Sequence, residues 1–366
     1  MAPTQYKQIL FNERPADQIN ATTFRTHLAP FAALVPGDGE VLVQVTYLSL
    51  DAAMRAWMRP VKTYVEPLAI GEVMRSGGLG VVLKAGKGVK LREGDLVSGA
   101  VGWTEYGVFK ESQLRLLQVP TGAEALDFLG ALGTTGLTAY FGLIDVGKLK
   151  AGDTLLVSGA AGATGSLVCQ IGTILGARVI AIAGTAEKCK WLEEELGVET
   201  ALNYKAADFK ERFKKTLGAG FDVYFDNVGG EILDLALTRM KLKARVVMCG
   251  AISGYNSKPV GLVNYQTIIS QRAELKGFIV YACSSFPHPT RTHTFPVRFR
   301  FDYAAQYPAA LADLGKWLAE GKLKRKFHVV QGIEKAGEAL PLLYSGGNIG
   351  KLYVSFPSLS PLLTAY

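Results

Sequence analysis

One run near the middle of the chain restricts the fold more than any other feature: Leu155-Leu156-Val157-Ser158-Gly159-Ala160-Ala161-Gly162-Ala163-Thr164-Gly165. A short apolar strand enters a turn built only of small residues, and a helix is expected to follow over Ser166–Ile174. Backbone N–H groups at a helix N-terminus can meet a pyrophosphate only where the side chains around them are small. A glycine pattern alone says little. This one follows a strand, opens a helix and begins a β-α-β run, the arrangement of a dinucleotide site. Ala160 stands at the first glycine position of G-x-G-x-x-G, a mild departure.

The flanking sequence extends the pattern. Arg178–Ala183 is followed by a helical stretch through Leu196. Then come Thr200–Leu202, Val223–Asp226 and Ala244–Cys249. Near-continuous apolar strands alternating with helices predict a parallel sheet covered on both faces. Before about residue 125 the texture differs. Val41–Leu48, Gly77–Leu83 and Gly94–Gly99 are strands punctuated by glycine. They predict a barrel-like or sandwich-like β-rich unit. Ala304–Gly321 has helical spacing, and Lys351–Phe356 reads as a final strand. With 366 residues there is room for two such units.

The end of the second strand selects between two cofactors. An NAD site would place Asp or Glu there to hold the ribose 2′-hydroxyl. This chain has Ala183-Gly184-Thr185-Ala186-Glu187-Lys188. Gly184 leaves space and no charge, Lys188 is in reach of a 2′-phosphate, and Glu187 suits the helix N-terminus where it sits. The expected cofactor is NADPH.

Several classes are set aside. No uncharged apolar run is long enough for a membrane span. The N-terminal residues lack the layout of a signal peptide, so a cytoplasmic protein is expected. The four cysteines form no CxxC pair. The net charge of +8 is spread without a block of like charges, so nucleic acid is not an expected partner. His27, His288, His293 and His328 are the only histidines, and none pairs with Cys or Glu at a ligand spacing in the N-terminal region. No metal is expected.

These residues, with Tyr47–Met58, Gly71–Gly78, Leu137–Leu143, Tyr224–Gly230, Cys249–Asn256 and Asn348–Leu352, resemble the medium-chain dehydrogenase/reductase superfamily. Within it the chain is similar to the zinc-free, NADP-dependent alkenal/enone double-bond reductases, which include the prostaglandin and curcumin reductases. The resemblance implies an α/β protein. A GroES-like β-rich catalytic domain (1–125, completed by about 322–366) would join a Rossmann doubly wound nucleotide-binding domain (126–321).

The resemblance also implies cofactor contacts. Gly162, Ala163, Thr164 and Gly165 would cradle the pyrophosphate. Gly184, Lys188 and Tyr204 would meet the 2′-phosphate and Asn227 a ribose. Cys249, Gly250, Ala251, Ile252, Ser253 and Tyr255 would run beside the nicotinamide. Phe278, Ile279 and Val280 would offer backbone groups to the carboxamide, and Asn348 would close over the cofactor.

A chain without a metal-ligand set has no Lewis acid for carbonyl reduction. Reduction of a C=C bond conjugated to a carbonyl is easier to arrange, because the developing enolate needs only preplaced hydrogen-bond donors. A tyrosine, protonated at neutral pH, suits that task. Tyr255 matches the family tyrosine beside the substrate carbonyl, Tyr64 a position lining the cleft, and Tyr265 a partner of the nicotinamide ribose. The substrate would be a small enal or enone. A quinone reductase or an enoyl reductase of secondary metabolism is the enzyme alternative, and an NADPH-bound RNA-binding or crystallin-like protein the non-enzyme one. Homodimers are frequent in the superfamily, so a homodimer is expected.

Other readings are local. Asp51 and Arg55 are expected to form an i, i+4 ion pair or a structural contact near the cleft. Trp57, Met58 and Trp103 line an apolar pocket or pack the core. Thr134-Thr135 stand where relatives often carry Met-Pro. Tyr281–Arg300 reads as an insert with three prolines, three arginines and no acid. It is a lid, a neutral loop or an artefact of the gene reading.

Overall fold

The computed structural model describes residues 3–258, 260–280 and 303–356. The Tyr281–Arg300 segment, with His288, His293 and Cys283, lies outside the described residues, as does the end of the chain after Phe356.

The first part of the chain is β-rich. Strands β1 (Gln5–Phe11) and β2 (Phe24–Pro30) pair as an antiparallel hairpin. Strand β3 (Glu40–Ser49) runs antiparallel to β4 (Gly77–Ala85). The connection between them carries the short helix α1 (Met54–Trp57). Strand β5 (Leu96–Ala100) joins β4, β6 (Tyr106–Lys110) pairs with β3, and β7 (Leu114–Leu116) adds to β5. The apolar residues of β3 enter a core with Met58, Trp103 and Phe109. Its polar members Gln44, Thr46 and Ser49 are buried too, and Thr46 donates its hydroxyl to the Leu79 carbonyl at 3.3 Å.

After helix α2 (Thr134–Phe141) the pattern changes to strand and helix in turn. Strand β8 (Thr154–Val157) leads to α3 (Ala163–Ile174), β9 (Arg178–Ala183) to α4 (Ala186–Glu194), and β10 (Thr200–Asn203) to α5 (Phe209–Thr216). Strand β11 (Phe221–Asp226) precedes α6 (Gly230–Leu237), β12 (Met240–Met248) precedes α7 (Gln266–Gln271), and β13 (Glu274–Gly277) closes the sheet. All pairings are parallel, in the order β10-β9-β8-β11-β12-β13.

The apolar run of β8 serves both faces, because successive side chains point to opposite sides of a strand. Leu155 and Val157 pack with α3 residues in one core; Leu156 packs with Phe213 and Leu237 in the other. Strand order reverses between β8 and β11, which opens a crevice at their C-terminal ends.

Helix α8 (Tyr307–Ala319) packs beside α2. The chain then returns to the first sheet through β14 (Phe327–Gln331), α9 (Ala336–Ala339), α10 (Leu342–Ser345) and β15 (Lys351–Ser355). That sheet has the order β14-β15-β3-β4-β5-β7, with β6 beside β3. One structural bridge joins the two halves directly: Gly162 lies in parallel register with Gly350, and the Gly350 N–H donates to the Ala161 carbonyl at 2.9 Å.

Candidate active site

A cavity of about 2380 Å³ is lined from both halves of the fold. Its nucleotide-side wall begins at the turn after β8. Gly159 adopts φ +58°, a conformation open to glycine at little cost. Helix α3 begins at Ala163, three residues ahead of the expected Ser166, so Gly165 lies in its first turn. A Cβ on Gly165 would stand 2.3 Å from the Gly159 carbonyl oxygen and 2.7 Å from the Ala160 Cα. The missing side chain lets the helix start directly on the turn. No side chain caps α3, and its first turn holds no acid. The N–H groups there are free to receive an anion, and the helix dipole favours one.

The loop after β11 is fastened to this turn by a fully buried carboxylate. Asp226 accepts the Ser158 hydroxyl at 2.7 Å, the Tyr224 hydroxyl at 2.6 Å and the N–H groups of Val228 and Gly229 at 3.0 Å. Asn227 therefore projects beside Ser158, and its side-chain amide donates to the Ser158 carbonyl at 2.7 Å. Nothing in the sequence marked Asp226 except its place at a strand end.

The far corner is basic. A Cβ on Gly184 would meet the Tyr204 ring at 3.0 Å, so the glycine seats that ring at the strand end. Lys188 is buried, and its ammonium donates to the Gly346 carbonyl at 2.7 Å. Burial, and then the neighbouring Lys205, lower its pKa from the ordinary lysine value. Lys205 also lines the cavity, lies 5.8 Å from the Tyr204 ring, and was missed in the sequence. Glu187 is exposed and does not line the cavity. The corner thus gathers two ammonium groups and one phenol with no carboxylate between them.

The opposite end gathers phenols. Tyr64, Tyr255 and Tyr344 line the cavity together with Trp57 and Cys249. Burial raises the Tyr64 pKa, against the neighbouring Trp57 indole. Burial likewise raises Tyr255, against the Ala251 N–H, which donates to its phenol oxygen at 3.4 Å. Each tyrosine therefore keeps its proton beyond the ordinary phenol range. Cys249 is pushed up to about 12 by burial and by Asp226, so its thiol is neutral.

Of the residues singled out in the sequence, Tyr64, Gly162, Ala163, Thr164, Gly165, Gly184, Lys188, Tyr204, Asn227, the run Cys249–Ser253, Tyr255, Phe278, Ile279, Val280 and Asn348 all line this one cavity. Tyr265 does not. It sits just before α7, about half exposed and away from the lining, because the chain leaves the cleft between Tyr255 and that helix. Trp57 lines the cavity, whereas Met58 and Trp103 are core residues. Thr134 and Thr135 both reach the lining.

Of the two readings of Asp51 and Arg55, the mutual ion pair does not form and each makes structural contacts instead. Helix α1 starts only at Met54, so Asp51 precedes it and the two residues do not share a helix face. Asp51 instead meets the buried Lys351 ammonium at 2.8 Å, which further donates to the Ser49 hydroxyl at 2.6 Å and the Leu50 carbonyl at 2.9 Å. Arg55 donates to the carbonyls of Pro15 and Asp17 and to Asn256 Oδ1 at 2.8 Å.

Among the described residues, no group of three or more His, Cys, Asp or Glu could hold a metal ion, and no helix is long and apolar enough to cross a membrane.

Comparison with known proteins gives consistent matches. Residues 7–117 match a family model described as the N-terminal domain of oxidoreductase, and 163–292 one described as zinc-binding dehydrogenase. The NADPH-dependent curcumin reductase of Escherichia coli is 35% identical over 87% of this chain and 88% of its own length. An NADP(+)-dependent 2-alkenal reductase of Nicotiana tabacum is 36% identical, covering 87% of this chain and 88% of its own. The crystal structure of CurA from Vibrio vulnificus in complex with NADPH superimposes with a TM-score of 0.85 at 35% identity, covering 96% of this chain and 99% of that one.

Proposed function

Because the chain belongs to the medium-chain dehydrogenase/reductase superfamily, we propose that it is an NADPH-dependent reductase of the C=C bond of α,β-unsaturated aldehydes and ketones. The observation that carries the reading is one cavity lined both by the uncapped start of α3 and by the phenols of Tyr64 and Tyr255. The chain's relatives among curcumin and alkenal reductases support the same chemistry.

The residues present fit the cofactor. The first turn of α3 receives the pyrophosphate where a Cβ on Gly165 would collide with the turn. Lys188, Lys205 and Tyr204 take the 2′-phosphate, and the neutral Gly184 leaves the space that an acidic residue would deny to it. Asn227 receives a ribose hydroxyl, held in place through Ser158 and Asp226. The run Cys249–Ser253 and the backbone of Phe278–Val280 border the nicotinamide end. When bound, NADPH supplies the hydride delivered to the β-carbon of the substrate.

The protein's own part is to orient the substrate and to stabilise negative charge. As charge develops on the carbonyl oxygen, Tyr255 donates a hydrogen bond to it, with Tyr64 as a second phenol on the same wall. A phenol is protonated at neutral pH and the pKa of each is raised further, so each can donate when the enolate forms. Trp57 shields the apolar body of the substrate. The α-carbon proton is left to water.

Turnover of an alkenal and an alkenone with NADPH, beside a quinone and a saturated ketone, tests the reading. Oxidation of NADPH by the enal or enone and not by the saturated ketone is expected. Oxidation by the quinone alone would replace this substrate class.

A further inference from the structure

The run that ends in Tyr255 is held unevenly. Its early part is tied to its own half of the fold: the N–H groups of Cys249 and Gly250 donate to the Asp226 carbonyl, those of Ile252 and Ser253 to Asn227 and Val228. Beyond Ser253 the N–H groups of Gly254 and Tyr255 close a short turn on the Ala251 and Ile252 carbonyls, whereas the ties to their own carbonyls come from the other half. Arg59, just past α1, donates to the Gly254 carbonyl at 3.2 Å and the Tyr255 carbonyl at 3.1 Å. Arg55, buried and anchored on two carbonyls of the N-terminal segment, donates to Asn256 Oδ1 at 2.8 Å.

We infer that Arg55 and Arg59 are positioning residues, a two-arginine strap across the cleft that fixes the backbone of Tyr255 and so aims its phenol into the cavity. Two features favour a positioning role over a general surface contact. The bonds fall on consecutive residues, 254–256, centred on the tyrosine. They also come from one short segment whose Trp57 lines the same cavity as Tyr64 and Tyr255. The Arg59 guanidinium also lies close enough to Tyr255 to favour loss of its proton, in opposition to burial. The strap thus adds a cation beside the group that faces the enolate.

This inference rests on the role proposed for Tyr255, and the test separates the two. Arg59→Ala and Asn256→Ala each remove one arm and leave the buried anchors of Arg55 intact. Each is expected to lower kcat by about tenfold while NADPH affinity stays within about twofold. Arg59→Lys, which keeps the charge and a donor, restores part of the loss. In the Tyr255→Phe background, Arg59→Ala is expected to add little, since the strap acts through that hydroxyl. An equal loss in both backgrounds overturns the inference.

Amide hydrogen exchange over residues 252–257 in the NADPH-loaded enzyme reads the strap without activity. Faster exchange in both single variants is expected, and unchanged exchange overturns it. If Tyr255→Phe keeps full activity, the role of that hydroxyl fails, while the exchange data still decide whether the strap holds the loop.

Discussion

Tyr255 and Tyr64 line the same cavity, and the Ala251 N–H donates to the Tyr255 phenol oxygen at 3.4 Å. Removing a preplaced donor to a developing oxyanion costs about 10²–10³ in kcat. Tyr255→Phe is expected near the lower figure, and Tyr64→Phe to lose less, measured as steady-state turnover of one enone. The sign of the pH dependence follows from the raised pKa values. The phenols stay protonated as pH rises, so kcat/KM has no falling limb from them below the ordinary tyrosine pKa of about 10. A limb near neutrality that vanishes in Tyr255→Phe would contradict this. On the proposed cofactor placement, Lys188→Ala removes a charged donor to the 2′-phosphate. A charged hydrogen bond is worth roughly 1.5–3 kcal/mol, so NADPH affinity is expected to fall roughly 10- to 100-fold, with NADH affinity little changed. Titration of both cofactors checks it. Lys188 was legible because it follows a strand end that lacks an acid. Lys205 was not, since its place beside Lys188 depends on how β10 lies along β9. Asp51 misled because an i, i+4 spacing means an ion pair only where a helix spans both residues.

Among the elements, β8, its turn and α3 were the most legible, because an apolar strand, a small-residue turn and a helix are all local patterns. The start of α3 was placed late, since glycine is a poor helix former and Gly165 reads as loop. The structure shows why it stands inside the helix: any Cβ would drive into Gly159 and Ala160. Gly165→Ala is therefore expected to push α3 away from the turn. NADPH affinity should fall by at least about tenfold, and stability by roughly 1–3 kcal/mol as an overpacked contact. Calorimetric titration and urea unfolding measure the two effects, and wild-type values for both would contradict the packing argument. Tyr265 shows the opposite limit. Ten residues separate it from Tyr255, and nothing local says that α7 carries it away from the cleft.

At the scale of the molecule, the parallel sheet could be read from its strand–helix alternation, but the return of β14 and β15 to the first sheet has no local signature. That return places Arg325 3.2 Å from Asp127, a buried carboxylate in the turn Ala125–Leu129 where the first sheet hands over to the second. Burial outweighs the Glu124 N–H and Arg325 and raises Asp127 to about 6 from 3.8. Between those values the folded protein keeps a proton that the unfolded chain has released. The group's contribution is complete below the unfolded value and is lost as pH rises through about 6. Relative to Asp127→Asn, the wild type should lose stability between about pH 4 and pH 6.5, which paired thermal unfolding curves measure. A constant difference would contradict the sign.

The joining of the two halves also brings the phenols of Tyr64 and Tyr255 into one cavity with the start of α3, and product analysis after turnover of an enone with NADPH carrying deuterium at the transferred position tests the proposed chemistry most directly. A saturated carbonyl compound with deuterium on its β-carbon is expected. An allylic alcohol with deuterium on the former carbonyl carbon would contradict it.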